Sequence, residues 1–333
     1  AMVDKSIKAA LGLALVALSA CVWTVLQEHA LTQVSLDQKP LVPGSQGLAA
    51  TAPLSFAPET LLLKALRATA AQVDTDCSGP AVKAEVCAKW WDTDVTVYNM
   101  LPPTGVLRGQ AALQKSIETD STRNTQTTEM TVWDAGHVGG GTGLVWTVGS
   151  WARHDVHTKV LRSKGRFSSI MKDVNGTWKF FVMATMEIGD ASLVPVQNGL
   201  GGSLLSLVNG ILGHFNEGYF KNDFSFAFQD YAADAKFPCM FRFGSTSLQA
   251  AIADLKKQKA IMSPGFLHVA ADEVLTLSEN VIVAHGIAKM VDADTELWTF
   301  GRFTFLMVLE RADPGSKFQV TLDFSPNAWL ELG

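Results

Sequence analysis

Lys164–Phe181 reads KGRFSSIMKDVNGTWKFF. Asn175-Gly176 within it is a strong hairpin signal, because both central residues of the favoured two-residue turn need positive φ. The flanks, GRFSSIMKDV and TWKFFVMATM, carry the aromatic and β-branched residues that half-buried strands require. A second run, FGRFTFLMVLERADPGSKFQV at Phe300–Val320, has the same shape, with Asp313-Pro314-Gly315 as a longer turn. The Ser168-Ser169 pair has no copy there; Thr304-Phe305 stands at the matching place when the two GRF triplets are aligned.

Working outward, three further matches keep the same order. GQAALQKSI at Gly109–Ile117 matches GSTSLQAAI at Gly244–Ile252, with an offset of 135. Gly149 in VWTVGSWARHD matches Gly286 in IVAHGIAKMVD, offset 137, and Lys179-Phe180 matches Lys317-Phe318, offset 138. The GRF triplets at Gly165 and Gly301 give 136. Nearly constant offsets in one order argue for an internal duplication.

Each unit starts with an amphipathic helix. In the first it is PETLLLKALRATAAQV, with Pro58 in the first turn and Leu62, Leu66, Thr69 and Val73 on one face. In the second it is SLLSLVNGILGHFNEGYF, with Leu204, Val208, Ile211, Leu212, Phe215 and Tyr219. A shorter helix follows, then a strand, DVTVYNM or AKFPCMF, then the helix opened by Gly109 or Gly244, then the long strands. The expected fold class is therefore α+β: two tandem cones, each with helices on a curved antiparallel sheet. The expected organisation is an N-terminal transmembrane anchor at 1–30, an extended Pro-rich linker at 31–57, a first domain at 58–190, a linker at 191–203 and a second, divergent domain at 204–333.

The totals narrow the function. A chain of 333 residues suits two domains plus extras. At 18% charged and 47% hydrophobic it is poor in charge, which fits membrane contact or buried association. With a net charge of −5 and no Lys/Arg stripe, nothing points to nucleic acid. The four cysteines, Cys21, Cys77, Cys87 and Cys239, form no CxxC pair, so no zinc ribbon is expected. Ala9–Leu26 is eighteen residues without a charge, preceded by Lys5 and Lys8. As a retained anchor it keeps the N-terminus on the cytoplasmic, stromal or matrix side and puts the bulk in a thylakoid lumen, periplasm or intermembrane space. A cleaved signal peptide and a lipoprotein signal at LSAC (Leu18–Cys21) are open alternatives.

DVTVYNMLPPTGVLRGQAAL (Asp94–Leu113) and GRFSSIMKDVNGTWKFF resemble the nuclear transport factor 2-like superfold, of the SnoaL-like and calcium/calmodulin-kinase-association-domain-like kind. The resemblance is good over Pro58–Glu187 and weak over Leu204–Trp329. It implies a cone with an open mouth, used as an enzyme pocket, a ligand pocket or a docking surface. Iota-class carbonic anhydrases are similar in architecture. Their resemblance implies a Thr and a Tyr on the first strand and a His-rich run ending in Ser-Ser. Thr96, Tyr98, Ser168 and Ser169 match, but Arg166 and Phe167 replace the histidines. No cofactor and no metal are expected. His154 and His157, three apart on a strand, face opposite sides. Cys77 and Cys87 are a candidate disulfide in an oxidising compartment. Asp92 and Asp94 read as a strand start, and GHVGGGTG (Gly136–Gly143) as a hairpin loop with no phosphate-binding lysine.

The resulting expectation is a membrane-anchored, non-catalytic accessory or assembly subunit of a larger photosynthetic or respiratory membrane complex, its two domains packed as a pseudo-dimer. The large apolar side chains at Trp90-Trp91, Phe224, Phe226, Phe228 and PNAWLEL support association. Two alternatives stand beside it. One is an enzyme with a live pocket in the first domain, which needs Tyr98 and Ser168 to point into the cone. The other is a small-ligand or lipid binder.

Overall fold

The computed structural model describes residues 60–79, 83–98, 105–120, 125–139, 141, 143–187, 196, 198–238, 247–262, 266–291 and 302–324. The anchor and linker expectations, Pro58, Cys21, Cys239 and the PNAWLEL tail lie outside these residues. Among the described residues, no helix is long and apolar enough to cross a membrane.

The first half runs α1 (Leu61–Cys77), α2 (Ala84–Ala88), β1 (Trp91–Tyr98), β2 (Val106–Arg108), α3 (Gln110–Thr119), β3 (Gln126–Val138), β4 (Leu144–Asp155), β5 (Leu161–Val174) and β6 (Thr177–Glu187). The second runs α4 (Gly202–Lys221), α5 (Phe224–Ala227), β7 (Tyr231–Lys236), α6 (Leu248–Met262), β8 (Phe266–Ser278), β9 (Val281–Val291), β10 (Arg302–Glu310) and β11 (Gln319–Phe324). The sheets are ordered β2-β1-β6-β5-β4-β3 and β7-β11-β10-β9-β8. The second order repeats the first without a counterpart of β2. Both sheets are mixed, because β1 pairs with β6, and β7 with β11, in parallel.

Local chemistry sets the elements. Thr60 caps α1, its hydroxyl accepting from the Leu63 amide at 3.1 Å. The buried stripe is Leu63, Leu66, Ala70 and Val73, at helical spacing. The sequence face of Leu62 and Thr69 is thus off by one position. Asn175 and Gly176 take positive φ, 55° and 79°, and close the β5–β6 hairpin. The second-half strand begins earlier than AKFPCMF, at Tyr231, whose hydroxyl donates to the buried Asp323 at 2.8 Å.

Two glycines show how alike the sheets are. A Cβ on Gly149 would meet the Thr131 carbonyl at 2.0 Å and the Phe167 ring at 2.8 Å. A Cβ on Gly286 would meet the Ala270 carbonyl at 2.1 Å and the Phe305 ring at 2.5 Å. Only glycine fits under a cross-strand ring so close to backbone. These contacts match Phe167 with Phe305, not with Phe303 as the GRF triplets suggest. The triplets are displaced by two residues, one pleat period, so the facing of each side chain survives the error. The Ser168-Ser169 pair therefore corresponds to Leu306-Met307.

Three buried clusters result. Helices and inner sheet face enclose one in each half, built around Leu63, Leu66, Trp91 and Phe167, and around Phe215, Tyr219, Phe228 and Phe305. The third joins the other faces of the two sheets: Tyr98, Trp146, Val148, Ile170 and Val182 lie with Val283, Leu306, Val308 and Leu322.

Candidate functional site

Side chains alternate along a strand, so β1 divides its residues between two environments. Val95 and Val97 enter the first cone's core. Tyr98 enters the cluster shared by the two sheets, and Thr96 is on its face. On β5, Phe167 and Met171 face the helices and Ile170 faces the other sheet. Ser168 and Arg166 share the face of Ile170. Ser169 faces inward, 2.6 Å from the Thr147 hydroxyl. The carbonic-anhydrase-like set is thus split: Thr96, Tyr98, Arg166 and Ser168 look away from the cone, and Ser169 alone looks into it. Arg166 lies over the Trp133 ring at 4.8 Å. The Ser168 hydroxyl is buried without a partner.

Between the sheets lies a buried polar network. The Tyr98 hydroxyl donates to Glu273 Oε1 at 3.0 Å. Arg108 grips both Glu273 oxygens with its two terminal nitrogens. Glu273 is fully buried, so this planar fork supplies the charge its carboxylate needs. Burial, then the adjacent Glu273 carboxylate, hold the Tyr98 phenol well above its usual range. The His285 ring stacks on Tyr98 at 3.9 Å. Its Nδ1 is 2.7 Å from Asp272 Oδ1 and its Nε2 is 2.6 Å from the Thr304 hydroxyl. The order Asp–His–hydroxyl has the spacing of a nucleophile relay. Yet His285 is 1% exposed and Thr304 0%, so no substrate reaches it. The network satisfies buried polar groups and ties the sheets together.

The first cone itself holds a cavity of about 70 Å³ between α1 and the inner sheet face. Val73, Asp74, Trp91, Met130, Trp151 and Met183 line it, with the Cys77–Cys87 disulfide on its wall. Asp74 Oδ2 accepts from the Met130 amide at 2.7 Å. Burial pushes the Asp74 carboxyl up to about 7, and neighbouring Glu129 adds to the rise while the Met130 amide opposes it. Asp74 Oδ1 and Trp91 Nε1 are buried without a partner. The Trp151 indole is satisfied, donating to Thr185 Oγ1 at 2.7 Å.

The other sequence candidates are structural. Asp92 is buried, accepts from the Asp94 amide at 3.1 Å and lies 3.7 Å from Lys172. His157 is exposed in the turn held by Asp155. His214, half exposed, sits 2.7 Å from Asp230. Among the described residues, no group of three ligating side chains could hold a metal. Asp74 and Glu273 escape sequence reasoning; the seven-residue spacing of Arg67 and Asp74, repeated by Asn209 and Asn216, is the signal that could have found the first.

No protein-family model and no curated protein matches the chain. Solved structures resemble about two fifths of it. A protein of unknown function with a cystatin-like fold from Nostoc punctiforme is 11% identical, with 41% of this chain and 100% of that one covered and a TM-score of 0.33. A ketosteroid isomerase-like protein from Erwinia carotovora atroseptica is 12% identical, covering 40% and 100%, TM-score 0.31. A putative calcium/calmodulin-dependent protein kinase II association domain from Xanthomonas campestris is 11% identical, covering 43% and 98%, TM-score 0.32.

Proposed function

We propose that this chain is a membrane-anchored, non-catalytic accessory or assembly subunit. Its two halves, at 58–190 and 204–333, are tandem cone domains of the nuclear transport factor 2-like kind, and they pack as an intramolecular pseudo-dimer. One observation carries the reading: the polar strand residues that a catalytic cone would need are spent between the sheets. Tyr98 and Arg108 of one half bind Glu273 of the other, and both Tyr98 and Glu273 are closed to solvent. A body that uses its polar groups to fuse two domains is built for rigidity. The uncharged Ala9–Leu26 segment supplies the anchor, and the Cys77–Cys87 disulfide suits an oxidising side of the membrane.

The test is mild-detergent extraction of the native protein, followed by sizing and identification of what travels with it. Migration in a large complex is the expected result. A chain that runs alone near its 35.9 kDa plus detergent, or that is released without detergent, removes the subunit reading.

A further inference from the structure

The seam between the sheets is chemically closed, whereas the first cone is not. Two of the residues around its cavity of about 70 Å³ carry unmatched polar atoms, Asp74 Oδ1 and Trp91 Nε1. Neither atom touches bulk water, and Trp91 is 2% exposed. Buried polar groups without partners are rare because each forfeits its hydration. Asp74 cannot turn to relieve itself, since its other oxygen is held by the Met130 amide of β3. Trp91 is fixed too, its ring packed 5.4 Å from that of Phe180. The rest of the wall is apolar: Val73, Met130, Met183 and the face of Trp151.

A carboxylate oxygen wants a donor and an indole N–H wants an acceptor. A hydroxyl is both, and a short hydrocarbon stem behind it suits the remaining wall. The size is restrictive, for the cavity is about half of the ~150 Å³ apolar space that admits benzene. We propose that this cavity binds the hydroxyl-bearing end of a small neutral molecule, a primary alcohol on a stem of about three carbons. The hydroxyl donates to Asp74 Oδ1 and accepts from Trp91 Nε1. An ammonium group would satisfy Asp74 and leave Trp91 unmatched; a nitrile or ketone would do the reverse. This site is independent of the accessory-subunit reading, because a cone can hold a ligand inside or outside a complex.

The probe is 1-propanol, set against propionitrile, which has the same number of heavy atoms and accepts without donating. The readout is the indole N–H resonance of Trp91 in the full chain, identified by its absence in Trp91→Phe. A saturable shift with half-saturation in the millimolar range is expected for 1-propanol, and binding at least about five-fold weaker for propionitrile. Asp74→Asn should abolish that preference, and Val73→Ile, which fills the cavity from a buried position, should weaken 1-propanol by a similar factor. Shifts that rise linearly, or equal binding of both probes, or binding untouched by both variants, overturn the proposal and leave the cavity to water alone.

Discussion

The two halves of the molecule solve one problem with different side chains. In each, the first long helix lies along an exposed sheet edge whose backbone groups need partners. In the second half, α4 offers two asparagines seven residues apart. Asn209 donates to the Ala271 carbonyl at 3.0 Å and accepts from the Ala271 amide at 2.9 Å. Asn216 does the same with Val269, at 2.9 Å both ways. Each amide behaves as a short piece of neighbouring strand, and nothing is left over. In the first half, α1 uses Arg67, Asp74 and Ser78 against β3. Arg67 Nε donates to the Val132 carbonyl at 3.0 Å, and Asp74 accepts from the Met130 amide. Ser78 both accepts from the Thr128 amide at 2.8 Å and donates to its carbonyl at 3.0 Å. Here a carboxylate occupies the place of an amide, and one of its oxygens is left idle beside a cavity. A closed seam stabilises; an unfinished one leaves room for chemistry.

The largest effect should come from spoiling the closed seam. Asn216→Asp removes the donor to the Val269 carbonyl and brings a partly buried charge against it. A loss of about 2–3 kcal/mol is expected by chemical denaturation at pH 7. An unchanged midpoint would mean that the amide clamp is geometric coincidence. Ser78→Ala breaks the one fully reciprocal contact of the first seam, which is half-buried. The expected cost is about 1–2 kcal/mol, with faster amide exchange at Thr128 than at Val269 in the parent. Equal exchange in parent and variant would show that the bond pair does not form in solution.

How much of this was readable in advance follows from range. The β5–β6 hairpin was legible because Asn175-Gly176 and alternating strands are local signals. The order of elements was legible because the same signals recur. The α1 face was misplaced by one residue, since Arg67, Asp74 and Ser78 must reach β3 and so rotate the apolar stripe onto Leu63 and Ala70. The strand Tyr231–Lys236 was missed because Tyr-Ala-Ala-Asp-Ala-Lys is weakly apolar; its place depends on Asp323, 92 residues away. The sheet-to-sheet network was beyond sequence altogether. Tyr98 and Glu273 are 175 residues apart, and no periodicity marks a polar pair across two sheets. Nor could the GRF triplets reveal their two-residue displacement, because facing is unchanged by it.

The smallest predicted effect discriminates best between the seams. Asp74→Asn should turn the first clamp into the second, accepting from the Met130 amide and donating to the carbonyl on the same side of that residue. The Asp74 carboxyl sits at about 7 in the folded chain, raised from an ordinary 3.8 by burial first. A raised acid binds its proton more tightly when folded. Its contribution to stability is therefore full below pH 3.8 and is lost as pH rises through about 7. Asp323, raised to about 7 by burial, follows the same course, so the parent should lose stability across this window from both halves. Asparagine does not titrate, so Asp74→Asn should match the parent near pH 5 and exceed it at pH 8. Asp74 is only partly buried, and solvent screening trims the gain to on the order of 1 kcal/mol. Paired denaturation curves at the two pH values measure it. A variant less stable than the parent at pH 8 would mean that the first seam needs its charge, and that the likeness between the two helices ends at their spacing.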